Sequence, residues 1–268
     1  MIDIHAHILP GLDDGAQDLQ AAVEMARIAT ADGISAIIAT PHVATGMYEN
    51  SKDSILHEVG QLNDVLKEEG IPLSVYPGAE YLMEPDLPRR LQAGEVLTLN
   101  NSRYMLIELP FSSIPSFTDK TLFEIMVCGV TPILAHPERN YAMQRDPRQL
   151  LNLVEKGVLA QVTVGSLVGH FGAKAQGAAR LFLRSGCVQF LASDAHSAEQ
   201  RSPVILESIN EIKDKIDEGL LQLLTTDNPA SLLNGGPIVK PETVDLDEDK
   251  SLGWLEKIRK RIERLTRG

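Results

Sequence analysis

The sequence predicts an α/β fold built around a parallel barrel, on three observations. Short apolar segments rich in β-branched residues alternate with amphipathic helical segments. A glycine closely follows nearly every helical segment. Ionisable residues gather at the ends of the apolar segments instead of along them. Continuous apolar runs of this length are how strands buried on both faces read.

Taken in order, the strand candidates are Ile2–His5, Ile34–Thr40, Leu73–Ala79, Tyr104–Leu109, Thr131–Ala135, Leu159–Val164 and Val188–Ser193. The helix candidates between and after them are Leu19–Ala31, Lys52–Glu69, Asp119–Cys128, Pro147–Glu155, Ala173–Ser185 and Pro203–Glu218. Gly33, Gly70, Gly129, Gly157, Gly186 and Gly219 stand just past them, where a left-handed C-terminal cap favours glycine. Seven strands in strict alternation point to a barrel one strand short of the usual eight. An open doubly wound sheet is the alternative, but no Gly-rich phosphate loop follows any strand.

Composition narrows the function. The chain has 268 residues, 43% hydrophobic but only 4% aromatic, so its core is expected to be aliphatic. A net charge of −12 disfavours nucleic acid as a partner and suits cations. There is no long apolar stretch and no signal-like start, so a cytoplasmic protein is expected. Cys128 and Cys187 sit in apolar surroundings, without the pattern of a disulfide framework.

The tail differs from the body. Residues 239–250 read as an acidic linker, and 251–268 as a basic amphipathic helix with Trp254, Leu255, Ile258, Ile262 and Leu265 on one stripe. That segment is expected to pack on the barrel or on another subunit of a homo-oligomer, to rest on anionic membrane at the inner face, or to be a disordered end.

Six of the seven strand ends carry His, Asp or Glu: His5 and His7, His42, Glu80, Glu108, His136, then Asp194 and His196. In a parallel barrel these ends meet at one face. Such a cluster is costly to bury without a cation, and bound metal removes the difficulty. In H-x-H on a strand, alternate residues point the same way, so His5 and His7 can grip one ion. Imidazole mixed with carboxylate suits manganese, iron or zinc. There are more ligands than one ion can take, so several ions are implied. A carboxylate such as Glu80 could bridge two of them.

The run MIDIHAHILPGLDDGA, with TPH (Thr40–His42), GAE (Gly78–Glu80), IELP (Ile107–Pro110), AHPERN (Ala135–Asn140) and SDAH (Ser193–His196), resembles the polymerase and histidinol phosphatase (PHP) superfamily. Within it, the chain is similar to the metal-dependent protein tyrosine phosphatases of bacterial capsule and exopolysaccharide loci. The resemblance covers residues 1–238 and implies a distorted, TIM-like (β/α)7 barrel holding three divalent ions, commonly manganese. It implies His5, His7 and Asp194 on one ion, with Glu80 bridging to a second that Glu108 and His136 complete, and Asp14, His42 and His196 on the third. The choice of Asp14 over Asp13 rests on the resemblance alone.

It further implies Arg139 and Arg201 as phosphate-binding groups, which suits a guanidinium fork. Neither cysteine begins a Cys-x5-Arg loop, so the nucleophile is expected to be a metal-bound hydroxide. The expected substrate is a phosphotyrosine protein, a bacterial tyrosine kinase of polysaccharide export foremost. The alternatives are a small-molecule phosphatase such as a histidinol phosphatase, a phosphodiesterase, or a metal-binding scaffold without activity.

Overall fold

The computed structural model describes residues 1–212 and 216–241. The strands are β1 (Ile2–Ala6), β2 (Ala36–Ala39), β3 (His42–Val43), β4 (Ser74–Pro77), β5 (Glu80–Leu82), β6 (Tyr104–Glu108), β7 (Thr131–Ala135), β8 (Leu159–Thr163) and β9 (Phe190–Ala192). All their pairings are parallel, in the orders β1-β2-β4 and β3-β5-β6-β7-β8-β9. The two sheets are one barrel. The second expected strand is split into β2 and β3, and the third into β4 and β5. Pro41 interrupts the former because it has no N–H for the ladder, although its carbonyl still accepts from the Glu80 N–H at 3.1 Å. Gly78 interrupts the latter: a Cβ there would lie 2.8 Å from both Ile38 Cγ2 and Leu99 Cδ2, so only glycine lets the strand pass.

The barrel closes between β1 and β9. Asp194 N–H donates to His5 O at 2.9 Å, and His7 N–H to Ala195 O at 2.8 Å. Buried Asp3 clamps the same seam, accepting from Ser193 N at 3.1 Å and Ser193 Oγ at 2.5 Å.

The helices are α1 (Leu19–Ala31), α2 (Lys52–Glu68), α3 (Leu87–Gln92), α4 (Thr118–Val127), α5 (Tyr141–Arg145), α6 (Arg148–Glu155), α7 (Val164–Val168), α8 (Gly172–Arg184), α9 (Leu206–Asn210), α10 (Glu218–Gln222) and α11 (Asn228–Leu233). The first five expected long helices match α1, α2, α4, α6 and α8 to within a residue at each end. The expected helix Pro203–Glu218 does not form as a unit. Helix α9 stops at Asn210, followed by a turn at 211–212, and α10 starts at Glu218. Gly219 accordingly lies inside α10, while the other five glycines adopt the expected positive φ. The short helices α3, α5, α7 and α11 are too brief to show a period in the sequence.

Two buried clusters hold the fold. The larger lies between barrel and helices. The smaller fills the barrel interior with Ile4, Ile38, Leu106, Ile133, Leu159 and Phe190, and takes in Leu232 of α11. Each such side chain contributes about 1.5–3 kcal/mol by leaving water. Helix α11 and the segment after it close the N-terminal end of the strands: Asn228 Nδ2 donates to Gln189 O at 2.9 Å, and Tyr104 Oη to Gly236 O at 2.6 Å. This leaves the C-terminal mouth as the open end. Most of the linker 239–250 and the whole basic helix 251–268 lie outside the described residues.

Candidate metal centre

Every strand-end residue singled out in the sequence reaches the C-terminal mouth. Strict alternation from Ile2 and Ile4, both of the interior cluster, would turn His5 outward. The β1–β2 register shifts between Asp3 and Ala6, and such irregularities re-aim side chains. His5 and His7 thus stand with their Nε2 atoms 3.2 Å apart.

Three imidazoles are held by acceptors at Nδ1. His5 Nδ1 donates to Gln161 Oε1 at 2.9 Å, His7 Nδ1 to Asp13 Oδ2 at 2.6 Å, and His196 Nδ1 to Asp194 O at 3.0 Å. In the neutral ring a proton on Nδ1 leaves a lone pair on Nε2, and all three Nε2 atoms face the mouth. Acceptors behind imidazoles are the usual arrangement around ligated metals. Asp13 also accepts from the His42 N–H at 2.9 Å, so it braces two candidate ligands at once.

The three expected sets are compact. His5 Nε2 and His7 Nε2 lie 3.4 and 3.6 Å from Asp194 Oδ1. His136 Nε2 lies 3.0 Å from Glu80 Oε1 and 3.7 Å from Glu108 Oε1. Asp14 Oδ1, on a half-exposed side chain, lies 3.7 Å from His42 Nε2 and 3.5 Å from His196 Nε2. Ligand atoms about 2.1 Å from a shared ion sit roughly 3.0–3.4 Å apart, so these spacings fit cations between them. The sets also overlap: His7 groups with Asp14, His42 and His196, and His42 with Glu80 and Glu108. Glu80 is the hub. Its Oε2 is fully buried without a hydrogen-bond partner, yet lies 3.1 Å from His42 Nδ1, 3.2 Å from His5 Nε2 and 3.3 Å from His7 Nε2. A carboxylate oxygen ringed by imidazole nitrogens fits a bridging ligand.

The charges are tightly balanced. Burial opposes a charged His7, but the Asp13 and Glu80 carboxylates pull its pKa up to about 10. Burial and the Glu80 charge push Glu108 up to about 8, while burial and the neighbouring His7 drive His196 down to about 3. Against the cost of burial, His5, His136 and the two arginines hold Asp194 well below the usual carboxylate range. Arg139 Nη1 and Arg201 Nη2 both grip Asp194 Oδ2, at 2.5 and 2.6 Å, leaving Oδ1 toward the imidazoles. Arg201 Nε is buried without a partner. His136 and Asp194 have left-handed φ of +30° and +53°, rare for non-glycine residues and concentrated at functional sites.

The sequence reading missed three supports. Gln161 was passed over because the sixth strand carries no charge. Nothing in the sequence marks Asp13 as a brace and its neighbour as a ligand. Glu138, fully buried, accepts from Ser166 Oγ at 2.7 Å and Thr163 N at 3.1 Å, tying the His136–Arg139 turn to β8 and α7. Both cysteines stay out. Cys187 is buried with its thiol pushed up to about 12, and Cys128 caps α4 near the start of β7, opposite His136.

Residues 1–234 match the family described as capsular polysaccharide synthesis, CpsB/CapC. The chain belongs to this family. It is 37% identical to the tyrosine-protein phosphatase YwqE of Bacillus subtilis, over 95% of this chain and all of that one. It is 30% identical to the tyrosine-protein phosphatase CpsB of Streptococcus pneumoniae, over 87% and 98% of the two chains. The crystal structure of YwqE, described with CpsB as a metal-dependent tyrosine phosphatase, superposes with a TM-score of 0.85 over 91% of this chain and all of that one. A histidinol phosphate phosphatase from Lactococcus lactis shares the fold alone, with a TM-score of 0.51 at 13% identity, over 80% of this chain and 92% of that one. The CpsB/CapC match thus agrees with the PHP-type barrel and spans the whole of the site. Among the described residues, no helix is long and apolar enough to cross a membrane.

Proposed function

We propose that the chain is a metal-dependent protein-tyrosine phosphatase acting in the cytoplasm on phosphotyrosine proteins, foremost a tyrosine kinase controlling capsule or exopolysaccharide synthesis. The observation that carries the reading is Glu80 Oε2, buried among three imidazole nitrogens at the mouth of the barrel with two arginines beside it. Three divalent ions are the expected complement, manganese first, with iron or zinc as alternatives. His5, His7 and Asp194 would hold one, Glu80, Glu108 and His136 the second, and Asp14, His42 and His196 the third. When bound, such ions supply a hydroxide at neutral pH and offset phosphate charge.

The chain's own groups do the rest. Asp13, Gln161 and the Asp194 carbonyl keep the imidazole lone pairs aimed inward. Arg139 and Arg201 are anchored on Asp194 and retain further guanidinium N–H donors for the phosphoryl oxygens. Sharing one carboxylate as anchor, the two guanidiniums are oriented in advance, which lowers the cost of holding a phosphate between them. The leaving group is a phenol of pKa about 10, less demanding of an acid than an alkoxide.

The likeness to the tyrosine phosphatases over nearly the full chain favours this substrate over histidinol phosphate, for which there is only a likeness of fold. A panel of phosphotyrosine peptide, phosphoserine peptide, histidinol phosphate and a dinucleotide, with the manganese-loaded protein, tests the reading. The phosphotyrosine peptide should be preferred, EDTA should abolish turnover, and manganese should restore it. His136→Ala should cost at least about 10²-fold while the fold persists. Equal turnover of the histidinol ester, or activity resistant to chelation, would overturn the proposal.

A further inference from the structure

The metal cluster and the arginines account for a phosphate but not for the group that carries it. Beside the arginines stand two aromatic rings in a chain that has few, while a third, Tyr48, stacks on His42 with centroids 5.4 Å apart. Phe111 immediately follows the IELP turn at the end of β6 and is 43% exposed. Its ring stacks on His136, with centroids 5.8 Å apart and planes inclined by 28°. The Arg139 guanidinium carbon lies 4.9 Å from the centre of the same ring. On the other side of the site, Phe171, at the start of α8, lies 4.4 Å from the Arg139 guanidinium carbon and 5.8 Å from that of Arg201.

The two rings therefore have different surroundings. Phe171 meets both arginines that converge on Asp194 and is only partly exposed, so it braces the phosphate-binding end. Phe111 is anchored by His136 and Arg139, yet much of its surface remains open to solvent at the mouth of the barrel. An exposed ring next to a phosphate subsite offers offset or edge-to-face contact to an aromatic group attached to that phosphate. It offers little to an aliphatic one. The backbone holds it in place: Tyr141 N–H donates to Phe111 O at 2.7 Å, and Asn140 Nδ2 to Pro110 O at 2.8 Å.

We propose that Phe111 is a specificity-determining residue that receives the phenyl ring of the substrate and selects aryl over alkyl phosphomonoesters. The inference deepens the tyrosine phosphatase reading and rests on it. Phe171 is a positioning residue that acts through Arg139 and Arg201.

The test separates ring from phosphate. Phenylphosphonate and inorganic phosphate are titrated calorimetrically into the manganese-loaded wild type and into Phe111→Ala, Phe111→Leu, Phe111→Tyr and Phe171→Ala, with metal content measured for each. Phe111→Ala and Phe111→Leu should lower the ratio of phenylphosphonate to phosphate affinity about three- to ten-fold, and Phe111→Tyr should keep it. Phe171→Ala should weaken both ligands together and leave the ratio unchanged. A ratio unchanged in Phe111→Ala and Phe111→Leu would overturn the proposal and reduce Phe111 to a packing partner of His136. Failure of the parent reading has a different signature, namely wild-type turnover of another phosphate ester with none of phosphotyrosine peptide.

Discussion

At the scale of single residues, the groups behind the candidate ligands decide whether the ligands work. Asp13 accepts from the His7 ring at 2.6 Å and from the His42 amide at 2.9 Å. Replacing it with alanine frees the His7 ring to turn and to take the wrong tautomer. Asp13→Ala should weaken metal binding about 10- to 100-fold, as loss of such supports typically does. Asp13→Asn, which keeps an acceptor, should lose less; equal affinity in wild type and Asp13→Ala by metal titration would remove the support role. Glu138 makes a separate prediction. Burial raises its pKa from 4.5 to about 7 despite its bond from Ser166. The folded state therefore holds an extra proton between those values, and the stability this proton brings is full below about 4.5 and lost as pH rises through about 7. Glu138→Gln keeps an acceptor for Thr163 and Ser166 but never ionises. It should be more stable than wild type in urea at pH 8, by roughly 1–3 kcal/mol, with the gap closing by pH 5. A gap of the same size at both pH values would show that ionisation is not its source.

At the scale of elements, the loop from β1 to α1 explains two consecutive aspartates with different tasks. Ala16 N–H donates to His7 O at 3.0 Å and Gly11 N–H to Ala16 O at 2.8 Å, folding the loop tightly over the strand end. Asp13 turns inward to His7 and Asp14 outward to His42 and His196. Gly15 makes this fold feasible, since a Cβ there would lie 2.1 Å from His7 O and 2.5 Å from His7 Cβ. Gly15→Ala must displace that backbone, and should lower both metal content and Tm; a variant with wild-type metal content and Tm would mean the loop yields freely. The same scale shows what the sequence made legible. Long helices with glycine stops, such as α1 and α8, and apolar runs such as β7 stood out because period and punctuation agree. The breaks at Pro41 and Gly78 did not, because each split strand still reads as one apolar run. Pro203–Glu218 looked helical from composition, whereas among its described residues helix α9 stops at Asn210 and a turn follows. The charged residues of the mouth were visible because ionisable groups at the ends of apolar strands are unusual. Gln161 was not visible, because a neutral amide within a strand carries no such signal.

At the scale of the whole molecule, the barrel has one apolar end and one charged end. Leu232, Phe190 and Ile4 close the first. At the second, Glu80, Asp194, His5 and His7 are each 1% exposed or less, so their charges find little help from water. Protons serve where cations do not: without metal, His7 keeps a proton up to about pH 10 and Glu108 up to about pH 8. Metal binding must displace these protons, so affinity should fall as pH falls. Each ion present at a hundred times its Kd adds about 2.7 kcal/mol to stability, and for a chain of this size 1 kcal/mol moves Tm by roughly 2–4 °C. Chelation should therefore lower Tm at pH 8 by roughly 5–10 °C for each ion removed, and the drop should shrink by pH 6 as protons compete for the same lone pairs. Thermal melts with EDTA and with manganese at the two pH values measure this, and calorimetry in two buffers of different ionisation enthalpy counts the protons released. A Tm indifferent to chelation would mean that the charged end is stable on its own hydrogen bonds. A drop that grew toward pH 6 would mean that metal binding releases no protons in this range, and would overturn the competition.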